Sequence, residues 1–435
     1  MNRSIFVGLI VSGLFLAALA TLRAELLAIA IPLVIYLLYG LRGAPQVLDL
    51  DIQRFLSAER VYAGMPVIVT VTITNRGNTL PELVVEDRIS SGLSLSLGAP
   101  RHLVLLRKGE AYTFSYTVAG PRGGYAFESV CAEAGDPLGL FRLGRTFHTT
   151  GQLFVFPKAA RIKDIPIRPR RTRVYAGSIP ARLGGAGIEF FGVRAYQSGD
   201  PPRAINWRAS ARHSVGRTAT AHESLFSNEF QQERVADVGI VLDGRQRTNL
   251  FGGGRSLFEH SVLAAAALSE TFLNQGHRLG LLVYGSYLAW CLPGYGKLQR
   301  ERVLHALARA QVGESSVFAG LEHLSPRMFP VESQIVLISP LTGEDLKVLV
   351  QLRARGYQVL VFSPDPVAFE RSILQPTPAV ELAARVARLE RDLLIRRLQR
   401  AGIQVIAWDV ARPFDQAVRP ALRRFQVPQH LGGII

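Results

Sequence analysis

Ile5 to Leu22 is an apolar run without a single charge, and after Arg23-Ala24-Glu25 a second run, Leu26 to Leu41, follows with Pro32 inside it. Each run approaches the roughly 20 residues with which a helix crosses a hydrocarbon core. The short interval between them leaves room only for a tight turn. The pattern therefore predicts a transmembrane helical hairpin over residues 1–42, with both ends on one face. A cleaved signal peptide ending at Ala18-Leu19-Ala20 competes with this reading. Its apolar core would be long, and a second apolar run would follow at once.

From residue 43 to 158 the period changes to two. Val67 to Thr74 is β-branched throughout and is closed by the turn Asn75-Arg76-Gly77-Asn78. Leu103 to Leu106 and Ala111 to Val118 repeat the pattern on either side of Lys108-Gly109-Glu110. Short strands at this spacing predict an all-β sandwich of the Ig-like kind. Residues 159–234 lack a sustained period and read as a linker followed by a motif-bearing segment. From 235 to 435 strands and helices alternate. Strands fall at Val238–Leu242, Leu279–Tyr284, Gln334–Ile338, Gln358–Phe362 and Gln404–Ala407. Helices fall at Leu257–Leu273, Leu298–Ala310, Leu346–Arg355 and Val380–Arg400. Alternation of this kind predicts an α/β, doubly wound parallel sheet. Ligands in such sheets sit at the carboxyl ends of strands, which draws attention to Asp243.

Composition and charge refine the picture. The 435 residues carry 48% apolar and 19% charged side chains, enough for a multi-domain protein with sizeable cores. Cys131 and Cys291 are too far apart in sequence to read as a disulfide framework or a metal motif. Net charge is +16, and only five of the 50 basic residues are lysine. A basic surface beside a membrane suits anionic lipid or an acidic partner. No recognition motif accompanies the charge, so no nucleic acid is expected. Arg3 flanks one end of the hairpin, and Arg42, Arg54 and Arg60 flank the other. By the positive-inside rule these charges place the soluble part in the cytoplasm, on a multi-pass protein of the inner or plasma membrane. Arg168, Arg170, Arg171 and Arg173 crowd the linker, either as a solvated charge run or as a docking site. Helix Val380–Arg400 carries six arginines, Arg385, Arg388, Arg391, Arg396, Arg397 and Arg400, read as a solvated basic face opposite a buried stripe.

The most distinctive segment joins Gly192-x-Arg194-x-Tyr196-x-x-Gly199-Asp200 to Arg203, Ile205-x-Trp207 and Ala211-Arg212. With Arg122-Gly123-Gly124-Tyr125 and Asp136-Pro137-Leu138-Gly139-Leu140-Phe141-Arg142, it resembles the bacterial family known as domain of unknown function 58. The resemblance implies two membrane helices, a β-sandwich, a von Willebrand factor A-like α/β domain, and association with cytoplasmic MoxR-type AAA+ ATPases. Physically, Asp200 suits a cap or an arginine partner and Trp207 an anchor. Together these residues read as a brace or as a partner-binding groove.

A-like domains often hold a divalent cation through Asp-x-Ser-x-Ser and an Asp from a later loop. Here the stretch reads Asp243-Gly244-Arg245-Gln246-Arg247, and Pro340 stands where the later Asp is expected. Guanidinium groups cannot ligate a cation and repel it. The expectation is a degenerate site at Asp243, Arg245, Arg247 and Pro340, without metal or cofactor. Arg245 and Arg247 would then pair with Asp243 or receive an acidic group. Ser315 and Ser316 remain candidate hydroxyls. The sequence has no phosphate-binding Gly-x-x-x-x-Gly-Lys, no His-Glu-x-x-His and no Gly-x-Ser-x-Gly. The resulting expectation is a membrane-anchored, non-enzymatic adaptor. An accessory subunit or enzyme of the cell envelope, and a ligand-binding module using the sandwich, are the alternatives. The client and the oligomeric state are not legible.

Overall fold

The computed structural model describes residues 3–160, 162, 165, 167, 172–214, 225–246, 249–252, 254–284, 288–313 and 329–426. The chain divides into two compact units, Met1–Phe156 and Pro157–Ile435.

The first unit begins with helices α1 (Arg3–Thr21) and α2 (Ala24–Gly43), both long and apolar enough to cross a membrane. Leu22, in the left-handed region at φ 55°, turns the chain between them. Leu9, Leu16, Leu19 and Ile35 expose about 60% of their surface or more. Helices apolar all round require an apolar surrounding.

Nine strands follow: β1 (Leu50–Leu56), β2 (Arg60–Tyr62), β3 (Val67–Asn75), β4 (Leu80–Asp87), β5 (Ser94–Leu97), β6 (Arg101–Leu106), β7 (Ala111–Ala119), β8 (Gly123–Gly135) and β9 (Arg142–Phe156). They form a four-stranded sheet, β1-β3-β7-β5, and a five-stranded sheet, β2-β9-β8-β4-β6. Every pairing is antiparallel except β2 with β9. The two-residue period drives burial: Val67, Val69, Val71 and Ile73 face inward while the residues between them face out. Leu83 and Val85 of β4, Phe114 and Val118 of β7, and Phe127 and Val130 of β8 complete one core fed by both sheets.

Two polar features organise this unit. Arg54 on β1 pairs with Asp87 at 2.5 and 3.0 Å, and donates to the carbonyls of Phe127 and Thr149. Tyr116 donates to the same carboxylate at 2.8 Å. The Arg54 and Asp87 side chains are 1% and 0% exposed. Burial, then the Asp87 charge, pushes the Tyr116 hydroxyl far above its usual range. Arg54 is therefore an internal ion-pair partner and does not belong among the charges flanking the hairpin. The second feature is the turn between β8 and β9. The buried Asp136 carboxylate accepts from the amides of Phe141 and Leu138 at 2.6 and 3.1 Å, and Gly139 takes φ 65°. This turn packs on the end of α2. A Cβ on Gly40 would lie 2.7 Å from Leu140 Cδ1, and one on Gly43 3.2 Å from Pro137 Cδ. The sequence motif Asp136–Arg142 thus forms the knuckle that joins hairpin to sandwich.

The second unit contains β10 (Thr172–Ala195), α3 (Trp207–Ser214), β11 (Phe226–Asp243), β12 (Phe251–Gly252), β13 (Arg255–Ser256), α4 (Leu257–Asn274), β14 (Arg278–Tyr284), β15 (Leu288–Gly294) and α5 (Gly296–Arg309). It continues with β16 (Gln334–Ile338), α6 (Asp345–Ala354), β17 (Gln358–Pro364), α7 (Pro366–Arg371), α8 (Pro378–Arg400), β18 (Gln404–Trp408) and α9 (Phe414–Gln426). The sheet order is β15-β14-β11-β16-β17-β18, parallel except for the β15 edge. Its strands bury both faces. Val238, Ile240 and Leu242 pack with α4, α5 and α9, whereas Val241, Leu337 and Val361 pack with α6 and α8. Caps set the helix starts. Ser256 Oγ accepts the Glu259 amide before α4, and Asp365 and Thr377 cap α7 and α8, each with Pro at the first turn.

Three isoleucines of the segment that the sequence assigns to a linker contribute to this core. Ile162, Ile165 and Ile167 are buried against α4, and Thr271 Oγ1 donates to the Ile162 carbonyl at 3.4 Å. Their uneven spacing, with Lys163, Asp164 and Pro166 between them, hid this role. Arg168, Arg170 and Arg171 lie outside the described residues.

Candidate functional site

Asp243 ends β11, the strand from which the sheet grows in both directions through parallel neighbours β14 and β16. This is the topological switch point, where an open α/β sheet forms its crevice. Gly244 follows. A Cβ there would meet the Tyr284 carbonyl at 2.7 Å and Phe258 Cε2 at 3.1 Å, so the close approach requires glycine. The chain then turns back, and Arg245 lays its guanidinium against Asp243.

The guanidinium is shared by two carboxylates. Its Nε and Nη2 donate to Asp243 Oδ1 and Oδ2 at 2.8 and 2.7 Å, and its Nη1 and Nη2 donate to Asp345 Oδ1 and Oδ2 at 2.9 and 3.0 Å. The three side chains are 5%, 0% and 3% exposed for Arg245, Asp243 and Asp345. Ser339, after β16, donates from Oγ to Asp243 Oδ2 at 2.6 Å and accepts the Leu341 amide. Thr342 donates its amide and hydroxyl to Asp345 Oδ2, both at 2.9 Å. Burial opposes the Arg245 charge, but the two carboxylates outweigh it and hold the proton more firmly than water does. Forked donation of this kind is what arginine offers and lysine cannot.

The fit to a divalent cation can be read directly. The oxygens that would face a metal, from Asp243, Asp345, Ser339 and Thr342, are engaged with Arg245 or with one another. The residues present do not fit a bound metal. The positive charge at this crevice belongs to the chain itself. Among the described residues there is no group of three or more His, Cys, Asp or Glu side chains placed to hold an ion.

A second buried arginine secures the adjoining loop. Arg391 of α8 donates from Nη1 to the Pro340 carbonyl at 2.7 Å and from Nη2 to Ser363 Oγ at 2.9 Å, with Asp365 Oδ1 at 3.6 Å. Burial lowers its pKa. Arg391 is thus not part of a solvated face. Leu341, buried and at φ 66°, sits between the two arginines in a conformation that β-carbon sterics disfavour by about 1–3 kcal/mol.

Of the residues singled out from sequence, Asp243 and Arg245 meet as an internal ion pair. Pro340 contributes only its carbonyl. Arg247, Ser315 and Ser316 lie outside the described residues. Asp345 and Arg391 were missed. The Thr342-x-x-Asp345 spacing, a helix-start pattern, was the available signal for the first. Nothing local marks the second.

The signature segment folds at the outer end of the ribbon formed by β10 and β11, where Ala195 pairs with Phe226. Arg194 grips Asp200 bidentately at 2.9 and 2.7 Å, and Glu229 lies 3.6 Å from its Nε. Asp200 also accepts the Gln197 amide, and Tyr196 donates to the Asp200 carbonyl at 3.3 Å. Gly199 takes φ 109° within this turn. The Arg194 hydrogen bonds, then the Gln197 amide, hold the Asp200 carboxyl at about 2. Asn206 caps α3 through the Ala209 amide and bonds Asn228 across the ribbon at 2.7 Å. Arg194, Tyr196, Gly199 and Asp200 therefore form one hydrogen-bonded turn, a local brace at the end of the ribbon. Trp207 does not anchor it. It is 67% exposed on the first turn of α3, with Arg203 and Arg212 exposed as well. The turn at Asp200 and the Asn206 cap already fix the segment, so the indole is left outside.

The uncharacterized protein YeaD of Bacillus subtilis is 27% identical over 260 residues, which span 59% of this chain and 60% of that one. Among solved structures, the CARDB domain of the PF1109 protein from Pyrococcus furiosus aligns with 26% of this chain and 96% of its own, at 16% identity and TM-score 0.19. A FixG-related protein from Vibrio parahaemolyticus covers 25% of this chain and 98% of its own, at 9% identity and TM-score 0.18. Residues 192–368, which hold the Arg194–Asp200 brace and the Arg245 knot, match the family described as protein of unknown function DUF58.

Proposed function

We propose that this protein is a non-enzymatic adaptor, anchored in the inner or plasma membrane by the α1–α2 hairpin, whose cytoplasmic α/β unit docks a protein partner. The observation that carries the reading is the Arg245 knot. The crevice where an A-like domain would take a cation is filled by the chain's own guanidinium, so docking there proceeds through side chains. The Ser339 and Thr342 hydroxyls donate to carboxylates already held by the buried Arg245 guanidinium, an arrangement that suits structure better than an activated nucleophile. The two sheets sharing one core support an Ig-like spacer. The partner class that family resemblance implies is a MoxR-type AAA+ ATPase.

The test is co-elution of the detergent-solubilised full chain with a purified hexameric ATPase of that class. Nucleotide-dependent co-elution is expected, and its absence in every nucleotide state would sink the adaptor reading. A fusion reporter placed after residue 45 checks the topology. Activity only of an exported reporter would favour an envelope subunit instead, a reading that gains some weight because Arg54 is withdrawn from the flanking charges.

A further inference from the structure

Helix α8 carries two apolar stripes on opposite faces. The inner one, with Leu394 and Leu398 beside Arg391, packs on the sheet. The outer one consists of Leu382, Val386, Leu389 and Leu393, which are 64%, 51%, 65% and 53% exposed. Their steps of four, three and four are the spacing of a helix–helix seam, not of a single core-facing surface. A run of large exposed side chains of this kind on a folded unit marks an interaction surface.

We propose that this outer stripe is the seam through which two copies of this chain pair, with their α8 helices parallel. The flanking charges carry the choice of partner. With Leu382 and Leu389 at one set of seam positions and Val386 and Leu393 at the other, the positions bordering the seam are Arg385, Glu390, Asp392 and Arg397. In a parallel pair, a bordering residue faces the one five positions later on the other helix. Arg385 then meets Glu390 of the second copy, and Asp392 meets Arg397, each twice by symmetry. All four bordering charges are exposed and none opposes its like. An antiparallel pair keeps only the Arg385–Asp392 contacts, and leaves Glu390 opposite Ala383 and Arg397 without a counterpart. Two of the four bordering charges are acidic, so the border carries no net charge to draw an anionic membrane surface onto the stripe.

The experiment uses the full chain in detergent, with its mass read by light scattering corrected for the micelle. A mass of two chains is expected. Leu389→Asp, a change at an exposed position, should leave the circular dichroism spectrum intact and give one chain. Glu390→Arg should weaken pairing tenfold or more, and Arg385→Glu added to it should restore pairing. In a chain freed of Cys131 and Cys291, Leu389→Cys should cross-link to itself under mild oxidation, and Arg388→Cys should not. A wild-type monomer, a dimer indifferent to Leu389→Asp, or a double charge swap that fails to restore pairing would each overturn the proposal.

Discussion

Arg245 and Asp345 stand 100 residues apart in sequence, yet the guanidinium of one meets both carboxylate oxygens of the other at 2.9 and 3.0 Å. The pair ties the turn after β11 to the start of α6, and Asp243 shares the same guanidinium from below. Removing one member of a buried pair leaves its partner charged and unpaired, which costs about 3–5 kcal/mol. Arg245→Ser should therefore lower stability by that order in denaturant unfolding. The variant also frees hard oxygens of Asp243, Asp345 and Ser339. Millimolar Mg²⁺ or Mn²⁺ should raise its melting temperature and leave the wild type unmoved. A wild-type shift that disappears in Asp243→Ala would contradict the knot as described.

His277 supplies a pH dependence in the same unit. Its ring is buried beneath the Ala236 amide, which donates to Nδ1 at 3.4 Å, and burial lowers its pKa to about 4. A lowered histidine is neutral in the fold while the unfolded chain takes up a proton below about 6.5. Its stabilising effect is complete above 6.5 and declines as pH falls toward 4. The loss between pH 7.5 and pH 5 should be about 2 kcal/mol. Urea melts at those two pH values should show that difference, and His277→Gln should reduce it to the level set by other groups.

Much of this architecture was legible in the chain. The charge-free runs marked α1 and α2, the β-branched alternation marked β3, and the change of period near Val235 marked the α/β sheet, because burial imposes those periods directly. The Asp243-Gly244-Arg245 stretch announced an arginine set against a strand-end carboxylate. What stayed hidden depends on long-range placement. Asp345 and Arg391 become site residues only once β16 and α8 have been laid against β11 and β17. Arg54 looked like a membrane-flanking charge because its partner Asp87 is 33 residues away. Ile162, Ile165 and Ile167 looked like linker because Lys163, Asp164 and Pro166 break any regular apolar period among them.

The contact between α2 and the Asp136 turn should be sensitive to bulk at one position. Gly40 leaves no room for a side chain below Leu140 Cδ1. Gly40→Val should push the Leu138–Leu140 turn away from the helix, at a cost of about 1–3 kcal/mol typical of overpacking. Hydrogen exchange at the Leu138 and Phe141 amides, which Asp136 now protects, should accelerate in the variant. Gly8→Val, at an open position, should leave both amides unchanged.

Trp207 separates bracing from docking within the signature. The brace is built from Arg194 and Asp200, whose pairing should persist without the exposed indole. Trp207→Ala should thus change unfolding stability by no more than about 0.5 kcal/mol, as surface substitutions do. Arg194→Ala strips the bidentate partner from Asp200 and should destabilise the β10–β11 ribbon, seen as faster exchange at the Gln197 and Phe226 amides. If the signature also meets a partner, Trp207→Ala and Arg212→Ala should weaken co-elution with it while melting curves stay put. Equal losses of stability and binding in Trp207→Ala would instead assign the indole to the fold.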